Sequence, residues 1–123
     1  MVNMHMTLHP QEVEVFYILP AIRRELSIAL KKLGRNQKEI AKLLGVTEAA
    51  VSQYLSAKRA NEVQFPEDLA QQIRNAAAKI TDRNSMIAET QSILASAKQD
   101  RFICKMHEQV TDDIPRGCNV CFK

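Results

Sequence analysis

The stretch that decides the fold runs from Gln37 to Arg59, QKEIAKLLGVTEAAVSQYLSAKR. It reads as two short helices joined by a tight turn. Asn36 stands before it as an N-cap, and Glu39, three residues on, completes a capping box. Ile40, Ala41, Leu43 and Leu44 give the first helix a short apolar face, and Gly45 ends it. Thr47 caps a second helix, with Glu48 in its first turn and Val51, Tyr54 and Leu55 as its buried face.

Two such helices joined through Gly45-Val46-Thr47 have helix-turn-helix geometry. Each constrained position carries a suitable residue. Ala41 is small where the helices cross closely. Gly45 adopts a positive φ that would cost another residue about 1 kcal/mol or more. Val46 fills the corner, and Ile40, Val51 and Tyr54 bury the inner faces. The outer face of the second helix is left open, with the shape to enter a DNA major groove.

These residues resemble the helix-turn-helix of the lambda-repressor-like, xenobiotic-response-element class of transcription regulators, over about residues 21–80. LPAIRREL together with AAVSQYLSAKR is also similar to a group of short archaeal regulators with cysteines near the C-terminus. The resemblance implies a sequence-specific DNA-binding regulator whose second motif helix is the recognition helix. It places Thr47, Glu48, Ala49, Ser52, Gln53 and Ser56 on the outward face, Lys58 and Arg59 against the DNA backbone, and Gln37 and Lys38 near phosphates. On that reading Gln53 pairs with adenine in the major groove, and Glu48 accepts from cytosine or discriminates by repulsion. No Lys or Arg lies on this helix before Lys58. Modest direct readout then calls for a homodimer on a pseudo-palindromic operator. The Val13–Leu19 segment, with Phe16 and Tyr17, and the C-terminal helix are the candidate dimer surfaces. The alternative is a non-catalytic interaction module, an antitoxin-like or adaptor protein that uses the same helices on another protein.

Outward from the motif, the chain reads as all-α. Pro10 can open a first helix, although Glu12 to Val15 alternates as a strand would. Pro20 kinks a long helix or starts a new one. Ile22, Leu26, Ala29, Leu30 and Leu33 recur at helical spacing, and Gly34 follows as a left-handed C′ residue, so Ala21 to Leu33 is a helix. Pro66 is expected at the first position of another helix, with Glu67 and Asp68 in its opening turn and Leu69, Ile73, Ala76 and Ile80 inward. After a break near Thr81–Ser85, a last long helix is expected to about His107. Ile73, Ile80, Ile87 and Leu94 recur at seven, but Asn84, Gln91 and Lys98 between them are polar, which argues against a full coiled coil. The expected architecture is a five-helix lambda-repressor-like DNA-binding domain over 1–82. Residues 83–123 add a long C-terminal helix and a short cysteine-containing tail for dimerisation or metal and redox chemistry.

Composition agrees with this and excludes other classes. The chain has 123 residues, 46% apolar and 25% charged, with three Gly and four Pro, too few for a sandwich or barrel. There is no Gly-rich phosphate loop. The longest apolar run, Val15 to Ile22, is too short to span a membrane. No secretory signal is visible, so a cytoplasmic protein is expected. The net charge of +3 is uneven: residues 1–60 carry nine basic against five acidic side chains, and 61–123 eight against nine. A basic half suits a polyanion. No Ser–His–Asp set or carboxylate pair stands in a recognisable context, so neither an enzyme nor a small-molecule substrate is expected.

The three cysteines suggest thiols, metal ligands or redox sensors rather than a disulfide frame. Cys104-x-x-His107 and Cys118-x-x-Cys121 are two ligand pairs ten residues apart, with Pro115 and Gly117 between. They can close on one tetrahedral Zn²⁺. They can also hold an iron–sulfur cluster, form a redox pair, or sit unliganded in a plain tail. His5 and His9 are read as solvent-exposed rather than as ligands.

Overall fold

A computed structural model of the chain describes residues 9–60 and 63–110. Among these the regular structure is helical: α1 (Pro10–Val13), a π-helical turn (Glu14–Ile18), α2 (Leu19–Lys32), α3 (Gln37–Leu44), α4 (Glu48–Leu55), α5 (Glu67–Lys79), α6 (Arg83–Gln99) and α7 (Phe102–Val110).

The strand option at Glu12–Val15 gives way to helix. His9 caps the N-terminus in extended conformation, its N–H donating to Glu12 Oε1 at 2.8 Å while its carbonyl accepts from Glu12 N at 2.9 Å. Pro10 takes the first helical position, where its missing N–H is harmless. Pro20 neither breaks the helix nor starts a separate one, because the backbone stays helical from 10 to 32. The ladder instead widens just before it, with Leu19 N–H bonding to Glu14 O five residues back. One extra residue in the turn accommodates a proline that cannot donate.

α2 is the central element and packs against α4 and α5. Ile22, Leu26 and Leu30 are buried along it, and Ser27 Oγ is satisfied by Arg23 O at 2.7 Å. Gly34 (φ +96°) ends it in a Schellman motif: Gly34 N bonds Lys31 O at 3.0 Å and Arg35 N bonds Leu30 O at 3.1 Å. Leu33, expected on the inward stripe, is the C-cap residue and stands exposed. Pro66 is the N-cap of α5 rather than its first residue, its carbonyl accepting from Ala70 N at 2.9 Å. Leu69, Ile73, Ala76 and Ile80 are buried as the pattern required.

The expected long C-terminal helix is two helices. α6 stops at Gln99, and Arg101 takes a left-handed φ of +59° before α7 begins. Such a residue costs about 1–2 kcal/mol. The turn it makes lets Phe102, Ile103 and Met106 enter the core, and full burial of such side chains is worth about 1.5–3 kcal/mol each. Phe102 meets Phe65 with ring centroids 5.3 Å apart, and α7 lies against α1. The apolar cluster is therefore continuous from Val13 to Met106, across the sequence boundary at 82.

Asp82 caps α6. Its Oδ1 accepts from Ser85 N at 2.8 Å and from Ser85 Oγ at 2.8 Å. The Ser85 backbone donor and then its hydroxyl hold the Asp82 carboxyl below its ordinary value against an opposing desolvation, with a lesser contribution from the Asn84 N–H. A lowered native value means the cap contributes stability above the unfolded value of about 3.9, which is lost as pH falls through the native value. Asp82→Asn keeps an acceptor without the ionisation. It should leave helicity near neutral pH little changed and flatten the acid limb of the unfolding curve, measured by circular dichroism against pH.

Candidate nucleic-acid interface

The motif folds as local chemistry demands. Asn36 Oδ1 accepts from Glu39 N at 2.9 Å, and Asn36 N donates to Glu39 Oε1 at 3.1 Å, a reciprocal capping box on α3. Thr47 Oγ1 accepts from Ala50 N at 3.1 Å at the start of α4. Between them Gly45 has φ +68° and ψ +35°, and Val46 N reaches back to Ala41 O at 3.0 Å. Ile40, Ala41, Leu44, Ala50, Val51 and Tyr54 are buried, and Val46 is half-buried against the same core. A Cβ built at Gly45 would meet nothing within 4 Å, so only backbone conformation demands glycine. Gly45→Ala should cost about 1 kcal/mol by denaturant titration, without steric disruption. A loss several times larger would mean that space, not φ, is limiting.

Burial of the inner faces leaves an outer face on α4. Glu48, Ala49, Ser52 and Gln53 are exposed along it, with Thr47 and Ser56 exposed at its two ends. Ser56 Oγ turns back to Gln53 O at 3.3 Å, and Thr47 Oγ is engaged in the cap. Lys38 is exposed on α3, and Lys42 is exposed one turn further along it. Lys42 did not stand out in the sequence, although its i,i+4 spacing from Lys38 carried the signal. Gln37, expected near a phosphate, is half-buried, and its Nε2 donates to Glu48 O at 3.0 Å, tying the start of α3 to the first turn of α4.

The segment after α4 is tightly wound. Ala57 N bonds Tyr54 O at 3.2 Å, Lys58 N bonds Gln53 O at 2.9 Å, and Ala57 and Ala60 both have φ +59°. Alanine pays a steric penalty in that region, and strain of this kind concentrates at functional surfaces. The turn holds Lys58 and Arg59 beside the end of α4. The Arg59 guanidinium carbon lies 5.7 Å from the Tyr54 ring centroid, within cation–π range, while Arg59 stays exposed. Lys38, Thr47, Glu48, Ala49, Ser52, Gln53, Ser56, Lys58 and Arg59 are thus all exposed, and Gln37 is half-buried.

The other candidate group divides. Cys104 and His107 lie on α7, half-buried and buried respectively. Cys118 and Cys121 lie outside the described residues, as does His5. His9 is exposed as expected, but it borders the same cavity as Cys104 and His107, which no local pattern could show.

Comparison with known proteins agrees with the geometry of the motif. Residues 26–61 match the model of a helix-turn-helix family, which identifies α3, the turn and α4 as such a unit. The match covers less than a third of the chain and supports the lambda-repressor-like resemblance of that part alone. No curated protein matches the chain, and no solved structure does. Among the described residues no helix is long and apolar enough to cross a membrane.

Proposed function

We propose that the protein is a non-catalytic, cytoplasmic, sequence-specific DNA-binding regulator of transcription that acts as a homodimer on a pseudo-palindromic operator. The observation that carries this is the outer face of α4. It is a polar, exposed surface on a short helix whose other side is buried in the core, and Lys38 and Lys42 on α3 and Lys58 and Arg59 just after α4 are exposed as well. In the proposed roles α4 lies in the major groove, Gln53 reads a base, Ser52 meets a base or a phosphate, and the four cations hold the backbone. Glu48 faces the duplex as a hydrogen-bond acceptor or a discriminating negative charge. A single motif reads only a few base pairs, so two copies related by a two-fold axis are needed for a useful site. Val15 and Phe16, 56% and 47% exposed on the π-helical turn, supply apolar surface that a second copy can cover.

Fluorescence anisotropy against a random-sequence duplex tests the electrostatic part. A dimer that neutralises about six to ten phosphates should lose about 10³–10⁵ in affinity between ~50 and ~200 mM salt. An absence of duplex binding at low salt, with a protein partner co-purifying instead, would replace this reading with that of an interaction module.

A further inference from the structure

The continuous helical stretch from Pro10 to Lys32 buries Val13, Ile18, Ala21 and Ile22 on its inner side. Its outer side near the start carries two rows of residues. Glu12, Phe16 and Pro20 form one row, and Val15, Leu19 and Arg23 form the other. Residues at this spacing stand nearly above one another on a helix. Val15 and Phe16 are exposed, and Glu12, Leu19, Pro20 and Arg23 are half-buried. The middle of the face is therefore apolar, with an acid at one end and a base at the other. Among the described residues neither Glu12 nor Arg23 is in an ion pair, whereas Arg24, Arg35 and Arg74 are.

We propose that a second copy of this chain covers the face, with the two helices antiparallel about a two-fold axis at the level of Tyr17 and Ile18. Such an axis lays each row on the other row of the neighbouring copy. Phe16 meets the partner's Leu19, Val15 meets the partner's Pro20, and Glu12 meets the partner's Arg23. The contact is isologous, so each pair occurs twice. A parallel arrangement would instead set the two Glu12 carboxylates together and the two Arg23 guanidiniums together, and like charges opposed in an interface are costly. The antiparallel one gives an apolar centre with a charged rim, the usual anatomy of a protein interface. The inference rests on the homodimer reading above and gives that dimer its surface and register.

Sedimentation equilibrium of the full chain, without DNA and under reducing conditions, tests it. The wild-type chain should be a dimer at micromolar concentration. Phe16→Asp, at an exposed position that should leave the thermal melt unchanged, should weaken the dimer by at least about tenfold. Glu12→Arg and Arg23→Glu each oppose like charges at both copies of the ion pair, and each alone should weaken it by at least about tenfold. An equimolar mixture of these two variants should recover the dimer, because one copy then presents only cations and the other only anions. A misfolded variant would not recover in this way. A wild-type chain that stays monomeric, as it would if another protein or the chain's own ends covered this face, overturns the proposal. So does a dimer that none of the three variants weakens, which places the two-fold axis elsewhere, or a mixture that stays monomeric, which refutes the antiparallel register. No DNA is present, so failure here removes this surface alone, while the anisotropy titration judges the DNA-binding reading separately.

Discussion

Ile40→Ala should lower the unfolding free energy by about 2–5 kcal/mol, read as a fall in the denaturant midpoint with little change in slope. Ile40 is fully buried on α3, and its side chain joins the motif to the core around α2. The lost transfer energy accounts for part of the effect, and the cavity left between close-packed helices for the rest. Domains of this size are stable by about 5–15 kcal/mol, so the variant should be partly unfolded near physiological temperature. The loss should reach DNA affinity only through the folded fraction. A variant that folds at wild-type stability would mean that the motif is held by its caps and turn rather than by its buried face.

The second large effect is expected at the surface. Gln53→Ala should cost about 1–3 kcal/mol at a specific site and little on random duplex, because a bidentate amide contact discriminates between bases. Arg59→Ala should weaken both kinds of duplex alike and reduce the salt slope by about one, as a phosphate contact does. Both side chains are exposed, so thermal stability should change little, apart from the modest Arg59–Tyr54 cation–π contact. Competition binding against a selected and a scrambled duplex separates the two variants. Equal losses on both duplexes for Gln53→Ala would remove it from the reading set.

The parts legible in the sequence are those fixed by neighbours in the chain. Asn36 with Glu39, Thr47, and Gly45 at positive φ each act within a few residues, and the structure places all of them as expected. Leu69, Ile73, Ala76 and Ile80 follow helical spacing into the core for the same reason. What escaped was decided at a distance. The turn at Arg101 has no glycine or proline to announce it, and the Phe102–Phe65 contact that accompanies it joins residues far apart in the chain. Gln37 reads as a polar residue at a helix start, and only the arrival of Glu48 beside it makes it a bridge. His9 is nearly a hundred residues from Cys104 in sequence and shares a cavity wall with it only because α1 and α7 pack together. The π-helical turn was half visible: Pro20 marked a disturbance, and helix continuity on both sides settled its form.

The central claim is that the outer face of α4 meets DNA. Duplexes selected from a random pool by the full-length protein, followed by amide chemical-shift mapping with the best of them, test it most directly. The account predicts an inverted repeat among the selected sequences and the largest shifts at Thr47, Glu48, Ser52, Gln53, Lys58 and Arg59, with smaller ones at Lys38 and Lys42. Shifts confined to other surfaces, or selection that enriches no sequence, would contradict it.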